Sequence, residues 1–253
     1  MLAFEDELKR FEPVIKRLSN IALLGKKVVV KGKENFIMSG PNIIVGNHIG
    51  TFKDIAVLFK IVPRPIFFTA NKMIFEKKEF NYLIKKHLRR HIKLFAPAVE
   101  LILNPLRSYL VNYVSTNIGK IGTIPVDIYH SKRLAVKICQ DYLKRGKAII
   151  ALQGKGRITS NTHHPYVSTF RRGTAVMAYN LFQEGIKVPI TPVAIFGTHI
   201  PLLVPAKVKV NVGPAMYISD YSQLGFSEAI NKFKEDLEKR VKMLLAESLF
   251  GWG

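Results

Sequence analysis

Residues 42–54 read NIIVGNHIGTFKD, and this stretch says more about the fold than any other part of the chain. It begins as an apolar run, which indicates a buried strand that ends at Asn47-His48. Asp54 follows six positions after His48, inside a helix predicted over residues 52–61. A strand-end histidine with a carboxylate one turn away can act as a general base, because the imidazole takes a proton and the carboxylate fixes its tautomer. The alternative is a structural or surface His–Asp pair.

The length predicts one α/β domain, or one domain with a small appendage, and the charge predicts an anionic partner. The chain has 253 residues, 48% of them hydrophobic, and its 39 Lys and Arg against 18 Asp and Glu give a net charge of +21. Such a charge favours nucleic acid, anionic lipid, a phosphorylated substrate or an acidic protein as partner. The single cysteine, Cys139, excludes an internal disulfide framework and fits a reducing compartment.

Neither a secretory signal nor a transmembrane span is predicted. Residues 1–8 carry acids, and the longest apolar stretches, 94–114 and 188–208, are interrupted by prolines or charges. Neither offers the roughly 20 apolar residues that a span requires. A contact with a membrane would therefore be peripheral.

Strands alternate with helices along the chain, which predicts an α/β fold with a mixed, mostly parallel central sheet flanked by helices. The expected domains are an N-terminal amphipathic helical segment (1–24) and a main domain (25–253) with a basic amphipathic helical insertion (76–114). The predicted strands are 27–31, 42–45, 64–69, 122–127, 148–152, 188–196 and 208–212, the last alternating like an edge strand. The predicted helices are 4–21, 52–61, most of 76–114, 131–145, 173–184 and 227–249.

Two of these segments have faces that could meet a partner. Residues 77–93 carry seven Lys or Arg beside an apolar stripe, which is typical of a helix on a membrane surface or a partner, or of a solvated face. The N-terminal helix packs on the core or lies at an interface.

Five short motifs in order resemble those of the glycerolipid acyltransferase family, whose bacterial prototype is 1-acylglycerol-3-phosphate acyltransferase. The resemblance covers residues 28–245, roughly the whole chain. Its motifs are Gly40-Pro41 to His48, Gly122 to Asp127, the 152–160 loop with Phe170 to Ala175, Val188 to Ala194, and Val210 to Pro214.

The resemblance implies transfer of an acyl group from acyl-carrier protein or acyl-CoA to the hydroxyl of a lysophospholipid, most directly 1-acylglycerol-3-phosphate. It implies catalytic roles for His48 and Asp54 and no cofactor beyond the thioester co-substrate. No metal is predicted, because no His, Asp or Glu cluster has the spacing of metal ligands. It also implies a peripheral or monotopic enzyme on the cytoplasmic face of an anionic membrane. The candidate substrate-binding residues are Asn47, Lys72, Lys120, Gln153, Gly154, Lys155, Gly156, Arg157 and Arg172.

The first motif departs from the family pattern. The family has four residues between His and Asp, and this chain has five, residues 49–53. In one interpretation Thr51 caps the next helix and Asp54 completes a capping box. In the other, Gly50 absorbs the extra residue as a bulge and Asp54 partners His48.

The second and third motifs depart further. Residues 153–157 read Gln-Gly-Lys-Gly-Arg where the family shows Pro-Glu-Gly-Thr-Arg, so the carboxylate is lost while Gln153 keeps a hydrogen-bond acceptor. Arg157 keeps an anion-binding role, and the two glycines free main-chain N–H groups to face an anion. Ile128 stands where the family has Arg after Asp127. Candidates to compensate are Lys120, Lys155, Arg171 and Arg172.

Several alternatives remain open. The altered third motif could signal another lysolipid, aminolipid or glycolipid acceptor, and the longer spacing could leave an inactive lipid-binding homologue. Nucleic-acid binding is disfavoured, because no basic strand interleaved with aromatics is present. Among the other histidines, His199 could line the site, although a core or loop role fits it better, and His87, His91, His163 and His164 lack an acidic neighbour or lie on a polar face.

Overall fold

A computed structural model describes residues 2–91, 104–126, 132–159, 164–201 and 204–251. The strands are β1 (Lys26–Lys31), β2 (Asn42–Asn47), β3 (Ile66–Asn71), β4 (Thr123–Val126), β5 (Ala148–Gln153), β6 (Ile190–Phe196) and β7 (Ala206–Val212). The helices are α1 (Leu2–Ala22), α2 (Phe52–Ile61), α3 (Lys77–His91), α4 (Asn104–Asn117), α5 (Lys132–Lys144), α6 (Gly173–Gln183) and α7 (Phe226–Phe250).

These strands form one seven-stranded sheet in the order β1-β7-β6-β2-β5-β3-β4. β2 runs parallel to both β5 and β6, and β1 runs parallel to β7, while β6 and β7 are antiparallel. The predicted mixed, mostly parallel sheet flanked by helices is therefore confirmed. Every residue of β2 is buried, as expected for a central parallel strand covered on both faces.

The alternation of β7 led to a wrong prediction, because β7 lies between β1 and β6 and is not an edge strand. Its polar residues are satisfied by the last turns of α7. The Lys209 ammonium donates to the Ser248 carbonyl at 2.8 Å, and the Asn211 amide donates to the Leu244 carbonyl at 3.1 Å. The Ser248 carbonyl lies in the last four residues of α7, where carbonyls lack partners within their own helix. The Leu244 carbonyl lies one turn earlier and accepts the Asn211 amide with its spare lone pair.

The chain divides into two compact units. The larger unit comprises residues 13–67 and 136–253, and the smaller comprises residues 1–12 and 68–135. In the smaller unit α3 packs against α4, and residues 68–71 of β3 pair in parallel with β4. Asp127, predicted to end a strand, and residues 92–103, predicted to be mostly helical, lie outside the described residues.

Within the described ranges, no helix combines the length and the apolar character needed to cross a bilayer.

Candidate active site

The carboxyl ends of β2 and β5 bring two candidate segments together in the larger unit. The strands are parallel and Asn47 pairs with Gln153, so His48 and Gly154 leave the sheet at the same edge. The loops are then joined directly, since the Thr51 N–H donates to the Gly156 carbonyl at 3.1 Å. Open α/β sheets characteristically hold ligands at this edge.

His48 and Asp54 form a hydrogen-bonded pair at this edge. His48 Nδ1 lies 2.8 Å from Asp54 Oδ2; the imidazole is 24% exposed, whereas the carboxylate is completely buried. An ionised carboxylate only accepts hydrogen bonds, so Nδ1 carries a hydrogen and donates a hydrogen bond to Asp54 Oδ2. Nε2 is then the unprotonated nitrogen, with its lone pair available for a proton from a substrate.

The Asp54 carboxylate is surrounded by donors. Its Oδ2 also accepts the N–H groups of Ile49 at 2.9 Å and Gly50 at 2.8 Å, and its Oδ1 accepts the Thr198 hydroxyl. Hydrogen bonds from several directions compensate for the burial of a charge. They also fix the carboxylate against rotation, so the imidazole has one acceptor position to face.

Both sequence interpretations of the extra residue need correction in detail. Asp54 does pair with His48, but Thr51 makes no side-chain cap to α2. The Asp54 carboxylate accepts the N–H groups of Ile49 and Gly50, while the Thr51 N–H donates to Gly156, so no capping box forms. The unusual backbone falls on Thr51, at φ 53° and ψ −126°, and not on Gly50. A β-branched residue in that region is strained, and such strain persists only where its surroundings enforce it.

Gly50 is needed for a different reason, which is space. A Cβ at this position would lie 2.8 Å from Asp54 Oδ1 and would overlap the Thr198 side chain. The loop can therefore bring its main-chain N–H onto the carboxylate only if residue 50 has no side chain.

Asn47, a candidate for substrate binding, instead uses its side chain for hydrogen bonds inside the protein. Its side chain is fully buried; its amide donates to the carbonyls of Ile195 at 2.9 Å and Tyr166 at 3.0 Å, and its carbonyl accepts the Ile195 N–H at 2.8 Å. Both amide hydrogens are used, so Asn47 cannot donate to a ligand. These bonds fix the end of β2 against the end of β6. Because His48 follows Asn47 directly, they also hold the main chain of His48 in place.

Gln153 is likewise a supporting residue. It is buried, its carbonyl accepts the Arg171 N–H at 3.1 Å, and its amide donates to the Ala151 carbonyl at 3.3 Å. The Gln153 carbonyl is the hydrogen-bond acceptor expected from the sequence, but its partner is the main-chain N–H of Arg171. Gln153 therefore positions the segment that carries Arg171 and Arg172, and the Arg172 guanidinium donates to the Ser227 hydroxyl at 3.1 Å.

The loop after β5 leaves two cations available. The exposed side chains of Lys155 and Arg157 make no hydrogen bond or ion pair with the rest of the described chain, and they flank Gly156 beside His48. Cations without partners next to a candidate base suit an anionic ligand, since they gain charge-assisted hydrogen bonds when it binds. Lys72 and Lys120 lie in 3₁₀ turns of the smaller unit, next in sequence to β3 and β4, and both side chains have contacts of their own.

Sequence reasoning missed two residues near the pair. Thr198, in the loop after β6, contacts Asp54, and Lys53 is buried in the first turn of α2, where its ammonium donates to the Ile200 carbonyl at 2.6 Å. Burial, followed by the neighbouring Lys26 charge, lowers the pKa of Lys53. The only sequence signal near Thr198 was the neighbouring His199, which follows the predicted strand 188–196 and was considered as a residue that could line the site.

His199 lies on the same loop, and its ring contacts those of Phe196 and Tyr166 at centroid distances of 5.2 and 5.8 Å. Burial lowers the pKa of His199, and the Lys53 charge adds to the effect. The neutral imidazole packs in an aromatic cluster, in agreement with the loop role favoured from sequence.

Cys139 cannot serve as an acyl carrier at neutral pH. It is buried in α5, and burial raises the pKa of its thiol to about 12, so the nucleophilic thiolate does not form. In the described ranges, no group of three or more His, Cys, Asp or Glu side chains is arranged to hold a metal ion.

Fold and site together define an α/β protein with a His–Asp pair at the carboxyl ends of parallel strands. The chain shares its fold with the 1-acyl-sn-glycerophosphate (LPA) acyltransferase from Thermotoga maritima, at 21% identity and a TM-score of 0.59, over 97% of this chain and 81% of that one. No protein-family model and no curated protein sequence matches the chain.

Proposed function

We propose that the protein is an O-acyltransferase that moves a fatty acyl group from acyl-carrier protein or acyl-CoA to the hydroxyl of a lysophospholipid. The proposed acceptor is 1-acylglycerol-3-phosphate, which gives phosphatidic acid. The observation that carries the proposal is the His48–Asp54 pair at 2.8 Å, beside a loop whose two cations have no partner among the described residues. The shared fold with an LPA acyltransferase supports it.

The proposed reaction is a direct transfer. His48 Nε2 takes the proton of the acceptor hydroxyl while its oxygen attacks the thioester carbonyl carbon; Asp54 stabilises the imidazolium. The carbon–sulfur bond then breaks, and the departing thiolate takes the proton from His48. The buried state of Cys139 supports a route without an acyl-cysteine intermediate.

Lys155 and Arg157 are proposed to bind the acceptor phosphate. The guanidinium of Arg157 can donate two parallel hydrogen bonds to a phosphate, and Lys155 adds a point charge from the same loop. The Thr51–Gly156 hydrogen bond keeps this loop beside the histidine. A phosphate held there would bring the glycerol hydroxyl towards Nε2.

The test is release of free thiol by the purified full chain. Long-chain acyl-CoA or acyl-loaded acyl-carrier protein is supplied alone or with one of four acceptors: 1-acylglycerol-3-phosphate, monoacylglycerol as a matched acceptor without phosphate, a lyso-aminolipid, or a glycolipid. We expect release that depends on the phosphorylated acceptor. Release only with an amino- or glycolipid acceptor would assign a different substrate, and no release with any pairing would contradict the proposal.

Arg157→Gln is expected to raise KM for 1-acylglycerol-3-phosphate by about 10- to 100-fold, the effect of losing a charge-assisted hydrogen bond. KM for the thioester and turnover at saturating acceptor should change little. Arg145→Gln is the matched control, because Arg145 is also exposed but precedes the amino end of β5. An unchanged acceptor KM in Arg157→Gln would place the phosphate elsewhere.

We also propose that this edge of the larger unit faces an anionic membrane surface. Phe52 is 63% exposed one residue after Thr51, and Ile158 is exposed directly after Arg157. Exposed apolar side chains beside cations suit a peripheral protein at a lipid headgroup layer. The net charge of +21 supports an anionic surface.

Phe52→Ser should therefore weaken binding to vesicles that contain phosphatidylglycerol by roughly tenfold, because one apolar side chain is no longer buried in the lipid. Co-sedimentation measures it, with Met38→Ser as the control, since Met38 is 62% exposed but lies before the amino end of β2. Equal losses in the two variants, or no loss in Phe52→Ser, would contradict this orientation.

A further inference from the structure

The loop after β6 reaches the buried face of the His48–Asp54 pair. The Thr198 hydroxyl donates to Asp54 Oδ1, the oxygen that His48 does not use, and Thr198 itself is fully buried. Three donors already occupy Oδ2, namely His48 Nδ1 and the N–H groups of Ile49 and Gly50. Thr198 is thus the side chain that sets the rotation of the carboxylate from its far side.

The loop is itself tied down on both sides of Thr198. The Asn47 amide binds both main-chain groups of Ile195 before it. After it, the Lys53 ammonium donates to the Ile200 carbonyl at 2.6 Å and the Lys26 ammonium donates to the Pro201 carbonyl at 2.7 Å. Thr198 therefore has little freedom to move away from Asp54.

A role for Thr198 in packing alone would not account for its hydrogen bond to Asp54. A threonine that only filled space could be replaced by valine, which has nearly the same shape, but a valine would leave Oδ1 of a fully buried carboxylate without its donor. The glycine at position 50 supports the same conclusion, because a Cβ there would displace the Thr198 side chain from the Asp54 carboxylate.

We propose that Thr198 is a positioning residue of the active site, which acts through Asp54 to hold the His48 imidazole in its productive orientation. The effect on turnover rests on the proposed acyl transfer, whereas the effect on the His48–Asp54 hydrogen bond does not. Nε2 can accept a proton efficiently only while Nδ1 stays bonded to the carboxylate.

The test compares Thr198→Val, Thr198→Ser and Thr191→Val in the full chain. Thr191→Val is the matched control, because Thr191 is equally buried and hydrogen-bonded, to Asn42, but lies at the amino end of β6. The readouts are kcat and KM for both substrates, and the downfield proton resonance of His48 Nδ1–H.

Thr198→Val should lower kcat by about 10- to 100-fold, the loss expected for one hydrogen bond to a charged group, with both KM values within about twofold. The Nδ1–H resonance should shift or broaden, and Thr198→Ser should restore both properties. The proposal is overturned if Thr198→Val keeps the wild-type kcat and resonance, or if Thr191→Val lowers kcat equally. If the wild type transfers no acyl group, the resonance alone decides, so failure of the proposed function is distinguishable.

Discussion

We expect His48→Ala to lower the acyl-transfer rate by about a thousandfold, within the range that a positioned general base contributes. The imidazole is the group whose Nε2 is free to take the proton, because Nδ1 is bonded to Asp54 at 2.8 Å. The measurement is kcat from thiol release at saturating donor and acceptor. The free energy of unfolding should fall as well, by about 1–3 kcal/mol, because the fully buried Asp54 carboxylate loses one of its donors.

Asp54→Asn is the companion variant, because it removes the charge and keeps the shape. The asparagine carbonyl can still accept from His48, and its amide can donate to the Thr198 hydroxyl, so the geometry survives while the imidazolium loses its counter-charge. We expect kcat to fall by about 100-fold or more. The double variant should be no slower than His48→Ala alone, since the two residues act as a unit.

Retention of activity within tenfold in His48→Ala would place the base elsewhere. An additive loss in the double variant would show that Asp54 acts independently of His48. Circular dichroism and thermal melting of each variant separate these outcomes from misfolding, which matters for Asp54 because its carboxylate holds four donors.

The sequence was most informative where local pattern determines structure. The apolar run that becomes β2 and the helix at residues 52–61 were predicted correctly, because strand and helix periodicities are properties of a few adjacent residues. The position of His48 follows from them. The pairing of β2 with β5, which brings the loop at 154–157 beside His48, follows from the general rule for parallel sheets once the fold class is known.

The sequence was least informative about contacts between distant residues. Thr198 lies 144 positions from Asp54, and no local pattern marks a hydroxyl that will meet a buried carboxylate. Asn47 was a candidate substrate-binding residue, but its side chain bonds the main chain of Ile195, which lies 148 positions away. Alternation misled in β7 for the same reason, since the helix end that satisfies its polar residues is distant in sequence.

Gly156→Ala should have the second large effect, because this position borders the reactive nitrogen. A Cβ at residue 156 would lie 3.1 Å from His48 Nε2 and 2.9 Å from Thr51 Cγ2. A hydroxyl that gives its proton to Nε2 must approach to about 2.6–3.2 Å, so the methyl group would occupy the space the acceptor needs. We expect kcat/KM to fall by about 100-fold, the scale of effect that a small displacement of reacting groups produces.

Gly185→Ala separates this steric effect from backbone strain. Gly156 has φ +70° and Gly185 has φ +80°, but a Cβ at Gly185 meets no atom within 4 Å. Both variants should therefore lose about 1–2 kcal/mol of stability from the left-handed backbone, measured by chemical denaturation, and Gly156→Ala should lose more because its Cβ would overlap Thr51. Only Gly156→Ala should lose activity as well. Equal activity in the two variants would mean that the acceptor does not approach Nε2 past Gly156, and that the face of His48 towards Thr51 is not the reactive one.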